Sequence, residues 1–289
     1  MRNHPPVELI AVKVLLAPGF VVAASLAARR YGPRIGGLIA GLPVVAGPIL
    51  LIYALSHGAE FAAHAAAGTL LGLVSLIAFV VVYGRLAWRV FWGASMIAGW
   101  AAFIAGTLIF STVSVSAEVA LALAFAAIIA GLAWLPKPAF GPPDHFEPPA
   151  WDLPLRAFCA LVLVLTLTAV SGWLGPQLSG LLAPFPIIST VLATFTHAQR
   201  GHDELLRLLR AMVVGFVAFA LFCFTLAVTL PSLGTAASFA LATLVALLVQ
   251  GMMIALTGRS AGRFHPAAPS AGAAPPPDAS AALGRAAAP

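Results

Sequence analysis

Charge is scarce in this chain. Asp, Glu, Lys and Arg make up 8% of its 289 residues and hydrophobic residues 61%, which leaves too few polar side chains to cover a soluble domain of that length. Cysteine is nearly absent as well. Cys159 and Cys223 both lie inside apolar runs, where thiols act as small hydrophobes, and they say nothing about redox compartment. There is no HExxH pair, no GxxxxGK[ST] run, no Cys/His metal spacing and no acidic pair inside an apolar run. These absences argue against an enzyme, so no catalytic residue, metal or cofactor is expected. The clustered acids Asp144, Glu147 and Asp152 fall in a proline-rich stretch and read as a solvated loop.

What the chain does have is long apolar runs, so the solvent for most of its side chains is lipid. The net charge of +6 comes from arginines at the ends of those runs, a pattern of membrane orientation rather than a nucleic-acid footprint. A spanning helix needs about 20 mainly apolar residues. That rule gives nine candidates, at 10–28, 35–57, 65–84, 91–111, 116–135, 155–174, 178–197, 208–230 and 236–257. The first contains Lys13 and Pro18 and ends in Arg29 and Arg30 without a small-residue cleavage site, so it reads as a retained helix. Residues 137–154 read as a proline-rich cytoplasmic linker and 259–289 as a disordered Ala/Pro-rich tail.

Internal similarity organises these runs. GPRIGGLIAGLPVV at 32–45 aligns with GPQLSGLLAPFPII at 175–188, at an offset of 143. Six of the first twelve pairs are identical: Gly32/Gly175, Pro33/Pro176, Gly37/Gly180, Leu38/Leu181, Ala40/Ala183 and Pro43/Pro186. The same offset, without a gap, pairs Gly58 with Gly201, Gly72 with Gly215, Phe79 with Phe222, Ser95 with Ser238 and Lys13 with Arg156. The expected fold is therefore an all-α polytopic membrane bundle of about nine transmembrane helices. It has a first four-helix repeat over 1–111, a connector helix over 112–136 and a second repeat over 155–258.

One connector helix between two four-helix repeats inverts the second copy. The arginine distribution agrees, since basic residues collect on cytoplasmic loops. Arg29, Arg30, Arg34, Arg85, Arg89, Lys137, Arg200, Arg207, Arg210, Arg259 and Arg263 all fall on one side of the nine-span topology. Matched positions exchange charge with side: Arg34 faces Gln177, Arg85 faces Val228 and Arg89 faces Ser232, while His57 faces Arg200 and His64 faces Arg207. The N-terminus is placed outside and the C-terminus in the cytoplasm of a bacterial inner membrane.

The candidate functional element is the second helix of each repeat. Pro43, Pro48, Pro184 and Pro186 lie well inside these apolar runs, and each proline removes a donor and frees a carbonyl. Pro43 is about 12 Å along its run, near the middle of a core of about 30 Å. Interrupted helices at matched midplane positions point to a transporter site. The plain alternative is a pair of kinked helices packed through Gly36, Gly37, Gly41 and Gly180. Ser189, Thr190, Thr194 and Thr196 add hydroxyls that the first repeat mostly lacks, so the substrate-binding face is expected to be asymmetric; backbone bonding is the plain alternative for each. Lys13 and Arg156 read either as side chains snorkelling to the interface or as a gating or anion-attracting pair near opposite faces. His57 and His197 are candidates for a pH response, against ordinary solvated helix ends.

Each half resembles the small inner-membrane proteins of the GlpM type. The features are Lys13 or Arg156 opening the first helix, GGLIAGLP or SGLLAPFP opening the second, and Gly72 or Gly215 in the third. The likeness covers roughly two thirds of the chain through soft hydrophobic motifs. The duplication and the connector depart from it, so an assembly formed there by separate copies would be internal here. The resemblance implies a bacterial inner-membrane protein linked to envelope physiology, and it brings neither a reaction nor catalytic residues.

The expected function is a small transporter or permease for an unknown small molecule or ion, with its site between the runs 35–57 and 178–197. The lipid bilayer is its setting, a homodimer is possible in principle, and no nucleic acid is involved. The alternative is a non-transporting membrane factor that supports cell-envelope assembly through partner proteins.

Overall fold

The apolar runs are helices in the computed structural model, with no strand among the described residues. Those residues are 7–113, 115–139, 148–181 and 185–261, with side chains described for 18–113, 115–139, 148–166 and 185–256. The calls on Pro184, Asp144, Glu147 and the tail beyond 261 lie outside them, as does the side chain of Lys13.

Among the described residues there are eight helices: α1 (Val7–Tyr31), α2 (Pro33–Ala40), α3 (Ala46–His57), α4 (Ala59–Leu86), α5 (Trp92–Ser111), α6 (Ala117–Trp134), α7 (Asp152–Leu181) and α8 (Ile187–Ala261). The count differs from nine because element ends do not coincide with apolar runs. The run 35–57 is split between α2 and α3 around Gly41–Val45, and the last runs are joined in α8. Within α8, Gly201 and Gly234 are non-helical. Gly58, which ends α3, has φ 90° and ψ 167°, and Gly201 has φ 75° and ψ −173°. Only glycine adopts that conformation without steric penalty, so these two residues, 143 apart, turn the chain in the same way.

Four described helical stretches are long and apolar enough to cross a membrane: Ala59–Leu86, Trp92–Ser111, Ala117–Trp134 and Ile187–Leu256. Their outward faces say what surrounds them. α5 exposes Ile97, Ile104, Leu108 and Ile109, α6 exposes Val119, Leu123 and Ile129, and α8 exposes Leu241, Leu244, Leu247 and Leu248. Such apolar surface is stable against lipid and not against water.

The chain divides into a main unit, Met1–Ile254, and a short unit, Ala255–Pro289, whose described part ends with α8 at Ala261. In the main unit α4 packs on α3, α5 and α6, and α1 packs on α2 and α7. Small residues set the approach distances. A Cβ at Gly99 would lie 2.8 Å from the Phe79 ring, and one at Gly84 would lie 2.6 Å from Leu135. Phe79, Tyr83, Phe103, Leu205, Leu209 and Phe216 are fully buried at the centre.

Candidate functional site

The first break, between α2 and α3, is held closed by glycine. A Cβ at Gly41 would lie 2.6 Å from the carbonyl carbon of Gly215, and one at Gly37 would collide with Leu208 O. The end of α2 thus rests directly on the backbone of α8. Pro43 lies in the break and is buried; Pro48 is the third residue of α3, where a missing N–H leaves no helical bond unmade. The expectation that both prolines sit inside one helix is corrected accordingly. Gln250, from the last run of α8, donates from Nε2 to Leu38 O at 2.6 Å.

The second break, before α8, repeats the backbone pattern of the first. Val44 N–H donates to Leu42 O at 2.9 Å and Gly47 N–H to Pro43 O at 2.8 Å. At the second break, Ile187 N–H donates to Phe185 O and Thr190 N–H to Pro186 O, both at 2.8 Å. Each acceptor and each donor is 143 residues from its counterpart. The surroundings differ. Phe185 packs against Trp100 and Phe103 of α5 with ring centroids 5.4 and 5.6 Å away, and Trp100 Nε1 donates to Thr190 Oγ1 at 3.0 Å. Ser189, Thr190 and Thr196 are buried. Glycine backbone docks the first break on α8, whereas aromatic rings and hydroxyls surround the second.

From the second break a polar stripe runs along α8. Thr190, Thr194 and His197 are spaced four and three residues apart, so they share one helix face. Thr194 Oγ1 is buried beside the Tyr83 hydroxyl without a well-formed hydrogen bond, and that hydroxyl lies 3.5 Å from His197 Nδ1. The other candidate histidine, His57, is exposed at the end of α3, stacked on Phe61 at 4.8 Å.

Beyond His197 lies a buried charge cluster. Asp152 begins α7 and is fully buried; it accepts from Arg29 Nη2 at 2.6 Å, from Arg156 Nε at 2.9 and 3.0 Å, and from Gln199 Nε2 at 2.7 Å. The guanidinium of Arg156 also lies 4.9 Å from the centroid of the Phe195 ring. Burial works to raise the Asp152 pKa, but the hydrogen bonds from Arg29 and Arg156 outweigh it and hold the carboxyl below its ordinary value. Two expectations are corrected here. Asp152 is not part of a solvated loop, and Arg156 does not snorkel, because each is the other's partner four residues along α7.

A second ionic group adjoins it. Glu204 accepts from Arg207 Nη1 at 2.5 Å and lies 3.4 Å from Arg200. Arg207 also donates to Ala139 O, Arg210 to the carbonyls of Leu132 and Leu135, and Arg85 to Trp134 O. Arg29, Arg85, Arg156, Arg200, Arg207 and Arg210 are thereby gathered at one end, together with both described ends of the proline-rich segment.

Neither models of known families, nor curated proteins, nor solved structures match this chain. Its function is therefore argued from its own geometry. The residues that sequence inspection passed over are Trp100, Tyr83 and Gln250, and the one it misread is Asp152. Asp152 carried a usable signal in its i,i+4 spacing to Arg156, and Gln250 was the only amide side chain in its apolar run.

Proposed function

We propose that the chain is a small permease of the bacterial inner membrane, with two inverted four-helix repeats, nine spans, and a solute path at the second break. On this proposal it is a duplicated relative of the GlpM-type proteins and no enzyme, with its N-terminus outside and its C-terminus in the cytoplasm. The observation that carries the proposal is the pair of breaks, whose backbone hydrogen bonds recur pair for pair at an offset of 143. Gly58 and Gly201, and the buried serines Ser95 and Ser238, keep the same offset and support the repeat.

The two breaks take different parts. The first docks one half on the other through Gly37, Gly41 and Gly215. The second offers Ser189, Thr190 and Thr194 between aromatic rings, and the stripe through Thr194 and His197 leads from it towards the basic end. Asp152, with Arg29, Arg156 and Gln199, closes that end. The repeat-matched positions are Leu9 for Asp152, Gly172 for Arg29, Lys13 for Arg156 and Ser56 for Gln199, so the repeat does not carry the same residues at the opposite end. Arg156 gates in this scheme as one member of a buried cluster. Pro43 and Pro186 shape the breaks, and His197 makes the path sensitive to pH.

Cysteine accessibility tests the proposal. In a background lacking Cys159 and Cys223, Val44→Cys and Ser189→Cys are probed with an impermeant thiol reagent from each side of the membrane. Ser189→Cys is expected to react from at least one side in at least one condition. Protection of both positions in every condition removes the solute path. The non-transporting alternative draws on the proline-rich segment, which Arg207 and Asp203 bind at Ala139. Deletion of 138–150 and 262–289 separates the two: loss of function with intact insertion favours partner recruitment, and unaffected function favours transport.

A further inference from the structure

The first break leaves backbone oxygens without the donors that a continuous helix would supply. Pro43 has no N–H to give Ile39 O, which instead accepts from Leu42 N–H at 3.0 Å. The Val44 N–H turns to Leu42 O at 2.9 Å, so Ala40 O loses its helical donor too. These carbonyls end α2, at the negative pole of its dipole.

Gln250 reaches the same place from α8. Its Nε2 donates to Leu38 O at 2.6 Å, which fixes the orientation of the amide and leaves Oε1 as an acceptor. The residue is 3% exposed and Oε1 has no hydrogen-bond partner. A buried oxygen without a donor is unfavourable, and the surrounding lipid provides none. Ala40 O and Gln250 Oε1 are the two oxygens here without a donor, and a cation satisfies both while sharing the second lone pairs of Leu38 O and Ile39 O. Among the described side chains, Glu204, the acid nearest in sequence to the packing segment 208–215, is engaged by Arg200 and Arg207 and does not join them. Uncharged oxygens suit a monovalent ion, since divalent ions at protein sites rely on carboxylates and bound water.

We propose that the break between α2 and α3 holds a monovalent alkali-metal cation, coordinated by the carbonyl oxygens that end α2 and by Oε1 of Gln250. The ion is the coupling ion of the permease described above, and to that extent its role rests on that proposal; its binding does not. The repeat-matched residue Thr107 is also buried with its hydroxyl unpartnered, yet its short side chain has none of the reach of an amide. One ion per chain is the expectation.

Thermal unfolding of the purified full chain in detergent tests this, in sodium, potassium and choline chloride at equal ionic strength. Sodium or potassium is expected to raise Tm saturably by a few degrees over choline. The rise should disappear in Gln250→Leu and persist in Thr107→Val. Equal Tm in all three salts overturns the proposal, with water alone filling the break, as does an undiminished rise in Gln250→Leu. If Gln250→Leu does not fold, calorimetric titration of the wild-type chain with the same salts decides, a saturable heat supporting the site and its absence overturning it. A cation-dependent Tm combined with sealed breaks in the cysteine experiment leaves a structural ion and overturns the permease alone.

Discussion

Replacing Asp152 by Asn keeps the shape of the side chain and removes its charge from a densely bonded buried group. The carboxylate holds Arg29, Arg156 and Gln199 at 2.6 to 3.0 Å. The Arg156 side chain is 8% exposed and that of Arg29 28%, so the loss falls mainly on Arg156, whose charge cannot reach water. Breaking a buried pair by removing one partner is destabilising by roughly 3–5 kcal/mol. Asn still accepts one hydrogen bond and Arg29 can turn to solvent, so the lower end, about 3 kcal/mol, is expected. At about 2–4 °C per kcal/mol for a chain of this size, Tm should fall by roughly 6–12 °C. A thiol-reactive dye can follow the transition, because Cys223 is 1% exposed in the folded chain. The double variant Asp152→Leu with Arg156→Leu, which removes both charges, should recover at least half of the loss. An unchanged Tm for Asp152→Asn, or a double variant no better than the sum of its parts, would refute the reasoning.

Other consequences follow from the same geometry. Because the folded pKa of Asp152 lies below the ordinary carboxylate value of about 3.9, its contribution is complete above that pH and is lost as pH falls through the lowered value. Tm should therefore show no Asp152-dependent change between pH 7 and pH 5, and a fall below about pH 4 should be smaller in Asp152→Asn. Gly41→Ala places a methyl 2.6 Å from Gly215 backbone and should lower stability by about 1–3 kcal/mol, whereas Gly68→Ala and Gly251→Ala, with nothing within 4 Å, should be neutral in the same unfolding assay. Trp100→Phe removes the hydrogen bond to Thr190; about 0.6 kcal/mol of stability is expected to go, with a larger change in solute selectivity in a vesicle uptake assay.

Much of the architecture was legible because lipid imposes simple rules. Apolar runs had to be helices, and Pro43 and Pro186 marked interruptions because a proline strands a carbonyl, but the runs 35–57 and 178–197 did not show that the helix stops there. The asymmetry of the hydroxyls at Ser189, Thr190 and Thr194 was also visible. Element ends were less so: α2 stops at Ala40 inside the run 35–57 with no change in hydropathy, whereas the turn at Gly201 falls in the polar gap between the runs 178–197 and 208–230. The buried polar partners were the least accessible. Arg29 meets Asp152 across 123 residues and Gln250 meets Leu38 across 212, so their pairing depends on how helices dock rather than on local pattern. Asp152 among prolines looked solvated for that reason, although Arg156 stood one helical turn away.

Inversion of the second half requires an odd number of crossings, and reporter fusions at the two ends count them. A periplasm-active reporter on the N-terminus and a cytoplasm-active reporter on the C-terminus should both be active in intact cells, and the exchanged pair should both be silent. Termini on the same side of the membrane would leave the second half parallel to the first and would contradict the inverted arrangement.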